Sequence, residues 1–163
     1  MAIVSIAELK NNLPAGGRLL GLDLGAKTIG LAISDRELTI GSPLETLRRA
    51  KFTQDAAALA KICAERGVGG LVLGLPVNMD GGEGPRCQSV RQFARNLEVV
   101  AGLDLAMTFW DERLSTAAVE RLLVREADMS RKRRAQVVDK MAAAYILQGA
   151  LDALRHLPDR RAE

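Results

Sequence analysis

Residues 70–75 read Gly-Leu-Val-Leu-Gly-Leu, apolar without a break. A strand with one wet face alternates apolar and polar residues. An unbroken run is the signature of a strand covered on both faces, the habit of parallel strands flanked by helices. Such a strand requires helices on either side of it in the chain, and the sequence supplies them. Upstream, Thr53 is expected to cap a helix over Gln54–Arg66, with Ala57, Leu59, Ala60 and Ile62 at its apolar positions and Gly67 ending it. Downstream, the loop Pro76–Gly84 leads into a helix over Pro85–Val100, with proline in the first turn, where its missing N–H costs little.

The remaining segments fall in around this unit. Residues 18–24 (RLLGLDL) and 29–34 (IGLAIS) predict two strands joined by the tight Gly25–Thr28 connection, hence an antiparallel hairpin. Leu38–Leu47 can supply a third strand, interrupted near Gly41 and Pro43. Leu105–Trp110 predicts another, followed by a helix that Ser115 or Thr116 caps and that runs to about Glu126. A polar, basic segment, Ala127–Arg134, precedes a last helix from about Gln136 to Leu154. The order is β-β-β-α-β-α-β-α-α. This is an α/β chain with a mixed five-stranded sheet, three antiparallel strands and then parallel ones, flanked by helices. Right-handed crossovers bring the carboxyl ends of the parallel strands to one edge, where open α/β sheets carry their sites. Ser5 and Glu8 form a capping box for a short helix that Pro14 and Gly16-Gly17 end. The expected organisation is an N-terminal extension (1–17), one domain (18–154) and a charged tail (155–163).

Composition removes several classes of function. A chain of 163 residues fits one domain with a real core. No apolar run reaches the roughly 18–20 residues that span a bilayer, and the N-terminus lacks the basic and apolar regions of a secretory signal. The expectation is a cytoplasmic protein with no membrane partner. His156 is the one histidine and Cys63 and Cys87 the two cysteines. A His/Cys zinc site lacks ligands, a Ser-His-Asp triad has only His156 to use, and two buried free thiols are expected in place of a disulfide. Aromatic residues make up 3%, too few for an open face that stacks bases. The net charge of +3 is a weak pointer to an anionic partner. Its distribution says more, since Arg121, Arg125, Arg131, Lys132, Arg133 and Arg134 crowd one stretch.

Four motifs carry acids. Asp23 lies within Gly21-Leu-Asp-Leu-Gly25. A carboxylate inside an apolar strand is costly unless it is paired or binds a metal, and glycines let a phosphate or second backbone approach. The plainer alternative is an Asp that caps the hairpin turn. Asp111-Glu112-Arg113 stands directly after the strand ending at Trp110, either a site at the sheet edge or a solvated turn. Asp139 is placed in the first turn of the last helix, where its charge favours the helix end by about 0.3–1 kcal/mol. There, Ala142, Ala143 and Ala144 allow close packing on the sheet and bring Asp139 towards Asp23; Tyr145 reads as core. The loop carrying Asn78, Asp80 and Glu83 lacks the Gly-Lys-Ser/Thr ending of a P-loop, but those residues can touch metal or substrate. The basic stretch is either a solvated face or a phosphate contact, the latter favoured by its nearness to Asp139.

Asp23, Glu112 and Asp139 are thus three carboxylates on three elements, with no histidine to join them. Such a set suits Mg²⁺ or Mn²⁺. Two such ions about 4 Å apart can activate water and stabilise the leaving oxygen in phosphodiester hydrolysis.

GLDLGAKTIGLAISD, LVLGLPVNMDGGEG, WDERLSTAAVERLL and VDKMAAAYILQGAL, in this order, resemble the YqgF family of pre-16S rRNA nucleases, also described as RuvX-type Holliday junction resolvase-like proteins. The resemblance spans roughly residues 18–154. It implies an RNase H-like fold related to the RuvC resolvases and a role in maturing the 5′ end of 16S rRNA. Its acids fall on Asp23, Glu112 and Asp139. The strand ending in Gly-Leu-Pro has no acid at its tip, where RuvC-like nucleases place one, so the third ligand is Glu112 or a loop acid such as Asp80.

The expected partner is therefore structured RNA, with branched DNA as the alternative, bound by a monomer or homodimer. Substrate contacts are expected from Lys27, Arg113, Arg125, Arg131, Lys132, Arg133 and Arg134. A non-catalytic nucleic-acid-binding module is the competing class, disfavoured because a pure binder gains nothing from carboxylates near phosphate. Actin-like ATPases share the first motif but need two lobes, for which this chain is too short.

Overall fold

A computed structural model of the chain describes residues 2–114 and 131–158, except the side chains of Leu114 and of residues 131–139. The helix expected after Ser115 or Thr116, with Arg121 and Arg125, lies outside the described residues.

A short helix α1 (Ile6–Asn12) precedes β1 (Arg18–Leu24), β2 (Thr28–Ser34) and β3 (Gly41–Arg48). Then come α2 (Phe52–Arg66), β4 (Val68–Leu75), α3 (Pro85–Val99), β5 (Ala106–Asp111), a 3-10 turn (Glu112–Leu114) and α4 (Arg131–Arg155). The sheet order is β3-β2-β1-β4-β5. β3, β2 and β1 pair antiparallel; β1, β4 and β5 pair parallel. All eight residues of β4 are buried, as its composition requires.

Side-chain alternation along the strands sorts the core into two layers. Leu20, Leu22, Leu71, Leu73 and Met107 pack with Leu59, Phe93 and Leu97 of α2 and α3. Leu19, Ala32 and Val72 pack on the other face with Ala143, Ile146, Leu147 and Leu151 of α4 and with Leu9 of α1. Close approach of α4 depends on Gly21. A Cβ there would lie 2.9 Å from the Ala143 carbonyl oxygen and 2.9 Å from the Leu147 Cβ. Gln148 fixes the helix along the sheet: its Oε1 accepts from Gly41 N (2.9 Å) and its Nε2 donates to Thr39 O (3.0 Å).

The N-terminal segment is tied to this body. Ser5 accepts from Glu8 N (3.2 Å) at the start of α1. Lys10 Nζ donates to the Leu154 and Leu157 carbonyls (3.2 and 2.9 Å), satisfying the end of α4. Ile3 bridges Met107 on the outer edge of β5.

Three local expectations are corrected. α2 begins at Phe52, with Lys51 at the N-cap and no side-chain cap bond there. Buried Asp55 instead reaches back out of the helix to accept from Ala50 N (3.0 Å), the residue before the N-cap. α4 begins at Arg131, so Arg131, Lys132, Arg133 and Arg134 belong to its opening turn and not to a polar connection. Asp139 is therefore the ninth residue of a 25-residue helix, beyond the terminal turn where the macrodipole acts. Arginine and lysine are good helix formers, and the charge run hid the true start. Tyr145 is half-buried and stands outside both core layers.

Candidate active site at the carboxyl edge of the sheet

Asp23 shares its face of β1 with Leu19 and Gly21, the face that α4 covers. On β4 the matching positions are Val72 and Gly74, and on β5 Trp110, which lies against Gly149 of α4. Glu112 follows β5 by one residue. The parity that buries Leu22 and Leu73 on the far side thus delivers Asp23, Gly74 and Glu112 to one face at one edge.

Gly74 is the residue that lets the two acids meet. β4 lies between β1 and β5, and a side chain at position 74 would stand between their tips. A Cβ there would lie 2.5 Å from Glu112 Oε1 and 3.0 Å from its Cγ. The glutamate occupies the space that glycine leaves and hydrogen-bonds Asp23. The missing acid at the tip of β4 thus has a physical counterpart: Glu112 lies over that position from the neighbouring strand. Burial raises the Glu112 carboxyl above the ordinary range, and Asp111 adds to the rise. The bond to Asp23 and the positive charge of Arg86 oppose it.

The third acid is placed by its backbone. Ala143 lies over Gly21, and residue 139 is one turn earlier on the same helix face. The N-terminal half of α4 runs toward the Asp23 end of β1, since Gln148 and Arg155 sit at Thr39, beyond the opposite end. The side chains of Asp139, Arg131, Lys132, Arg133 and Arg134 lie outside the described residues, as does Arg125.

The remaining sequence candidates are distributed around this edge. Lys27 is exposed in the β1–β2 turn, its carbonyl accepting from Arg49 N (2.8 Å). Arg113 is clamped on Asp111 (Nη2 to Oδ2, 2.6 Å), which lowers the aspartate pKa. Glu83 receives the fork of Arg91 (2.7 and 3.0 Å), so both its oxygens are engaged in the structure. Asp80 accepts from Gly82 N (2.8 Å), and Asn78 closes the same turn through its backbone. Asn78, Pro85, Arg86, Glu112 and Arg113 line an open cleft of about 510 Å³. Asp80 is not among the residues that line it. Arg86, in the first turn of α3, escaped the sequence reading. It stands alone in charge between Pro85 and Cys87, and only the fold turns it toward Glu112.

A mixed sheet in this order, with acids at its carboxyl edge beneath a closing helix, defines a protein of the RNase H-like fold. Thermus thermophilus RuvC in complex with a Holliday junction substrate matches with a TM-score of 0.54 and 15% identity, over 86% of this chain and 96% of that one. The yeast mitochondrial Holliday junction resolvase Ydc2 gives 0.51 and 12%, over 93% and 86%. These likenesses establish the fold.

Residues 17–153 match the RuvX family, described as Holliday junction resolvase, and the chain belongs to that family. Relatives from Rhodospirillum centenum and Roseobacter denitrificans, each named "Putative pre-16S rRNA nuclease", are 63% and 62% identical. Each alignment covers 95% of this chain, with 84% and 94% of the respective relative. The resemblance in the four motifs is therefore family membership, and the protein's place is among the nucleases of this fold.

Proposed function

We propose that the protein is a divalent-metal-dependent endonuclease that hydrolyses phosphodiester bonds in structured RNA, and that its substrate is the 5′ end of the 16S rRNA precursor. The observation that carries this reading is the meeting of Asp23 and Glu112 over Gly74. Two half-buried carboxyl groups held in contact repel when both are ionised, and a cation between them would offset that repulsion. Oxygen donors without histidine or thiolate suit Mg²⁺ or Mn²⁺, so the donor set fits the ion. Asp23, Glu112 and Asp139 would hold it, and it would supply Lewis-acid activation of water and of the leaving oxygen.

The chain's own residues do the rest. Gly74 and the hairpin around Gly25 leave the edge bare enough for a sugar–phosphate backbone to approach. Burial of Glu112 strengthens every charge interaction near it. Lys27, Arg113, Arg125 and the α4 opening turn (Arg131, Lys132, Arg133, Arg134) supply cations to offset the phosphates. Asn78 and Asp80 flank the cleft as accessory contacts. This is work for a cytoplasmic enzyme; among the described residues no helix is long and apolar enough to cross a membrane.

The test is incubation of purified protein with a 16S precursor fragment and with a four-way DNA junction, each with Mg²⁺, Mn²⁺ or chelator. Metal-dependent cleavage of the RNA supports the reading. Preference for the junction shifts the substrate to branched DNA. Binding without cleavage in any metal makes the protein a nucleic-acid-binding module.

A further inference from the structure

Over the edge from the acid pair, on the α3 side of the sheet, lies a second hollow of about 260 Å³. Gly25 and Ala26 of the hairpin, Arg49, and Arg86, Ser89 and Phe93 of α3 line it, and no carboxylate does. Two arginines therefore line a space that no carboxylate lines, next to a cleft that holds Glu112. Arg86 lines both.

The two arginines differ in a telling way. Arg49 is held in place: its Nη1 donates to the Gly25 carbonyl (2.7 Å). Its guanidinium lies 5.6 Å over the Phe93 ring, which Phe52 meets edge-on at 5.5 Å. One N–H is thus used, and a guanidinium has five. Arg86 is exposed and makes no hydrogen bond or ion pair among the described residues, whereas Arg91 and Arg113 are paired with Glu83 and Asp111. The fixed Arg49 guanidinium and that of Arg86, which feels the charge of Glu112 but makes no hydrogen bond, form a donor set for phosphate oxygens; the Ser89 hydroxyl already donates to the Pro85 carbonyl (3.1 Å). Gly25 and Ala26, with almost no side chain, leave room for the chain that carries the phosphate.

We propose that this hollow is a backbone-phosphate subsite: Arg49 and Arg86 hold the phosphodiester that adjoins the one presented to Asp23 and Glu112. The strand would then cross the sheet edge from the α4 side to the α3 side, with Arg86 at the crossing. The assignment rests on the nuclease reading for which linkage is cut, but the binding prediction is separate from it.

The probe is a fluorescein-labelled 12-nucleotide single-stranded RNA, with affinity measured by anisotropy in EDTA across a salt series. Each lost contact to a single strand reduces the salt slope by about 0.7. Arg86→Gln is expected to weaken binding about tenfold at low salt, flatten the slope by about 0.7 and leave the melting temperature unchanged. Arg49→Lys, which keeps the charge but loses the fork, is expected to weaken binding about threefold with the slope retained. A scan of single methylphosphonate linkages then locates the contact: at one linkage, neutralising the phosphate should weaken wild-type binding and have no effect on Arg86→Gln. An unchanged slope in Arg86→Gln, or the absence of any linkage that couples to it, overturns the subsite. If the wild type binds this RNA through Arg86 but cleaves nothing in any metal, the nuclease reading fails and the subsite stands.

Discussion

Gly74→Ala is the smallest change that should separate the site from the fold. The added methyl would lie 2.5 Å from Glu112 Oε1 and 2.5 Å from Ile146 Cδ1, where ordinary contact begins at 3.4 Å. Both neighbours are the far ends of flexible side chains, so the backbone can stay in place while each end retreats by about 1 Å. Overpacking of this kind costs about 1–3 kcal/mol. With two flexible ends yielding, about 1 kcal/mol is expected, which lowers the melting temperature of a chain this size by about 2–4 °C. The consequence for Glu112 is larger. A catalytic group moved by about 1 Å can lose about 10²-fold in rate, because the carboxylate leaves the position where it meets Asp23. The assay pairs a thermal melt with single-turnover cleavage of a labelled precursor fragment at saturating Mg²⁺. A variant that melts within a few degrees of wild type and cleaves about a hundredfold more slowly supports the slot. Cleavage at the wild-type rate by a folded Gly74→Ala protein would refute the argument that glycine is there to admit Glu112.

Asp23→Asn should abolish cleavage in a folded protein while raising RNA affinity in chelator, since a charge near phosphate is removed; full activity in that variant removes Asp23 from the site. Gly21→Ala should be the more destabilising glycine change, by about 2–3 kcal/mol in denaturant unfolding, because its methyl meets the backbone carbonyl of Ala143 and the Leu147 Cβ, both at 2.9 Å; a loss no larger than that of Gly74→Ala would show that α4 gives way easily. Replacing Arg131, Lys132, Arg133 and Arg134 with Ala should flatten the salt dependence of binding by about 0.7 per lost phosphate contact, and an unchanged slope assigns the turn to solvent. The Glu83 carboxyl titrates below 4.5 because Arg91 hydrogen-bonds it. The stability it contributes is therefore present above 4.5 and is lost as pH falls through the lowered value. Carbon-detected NMR titration of Arg91→Gln should show Glu83 back near 4.5, and no upward movement would mean the fork is not formed in solution.

Much of this fold follows from local pattern. The unbroken apolar run at 70–75, the glycines around Asp23 and the proline at the start of α3 each determine structure over a few residues, so the elements, the mixed character of the sheet and the edge that carries the acids were legible. The start of α4 was not, because charged residues form helix as readily as they form a solvated loop, and only packing distinguishes the two. The sequence determined that Asp23 stands inside an apolar strand and that Glu112 follows another. It could not say that they touch. That was decided by tertiary structure: the parallel pairing of β1 with β4 and β4 with β5 puts a glycine between two acids nearly ninety residues apart, and the empty position lets one side chain cross a strand. Arg86 belongs to the same lesson. Its charge is ordinary in the chain, and it acquires a role only because α3 turns it toward an edge assembled from distant segments.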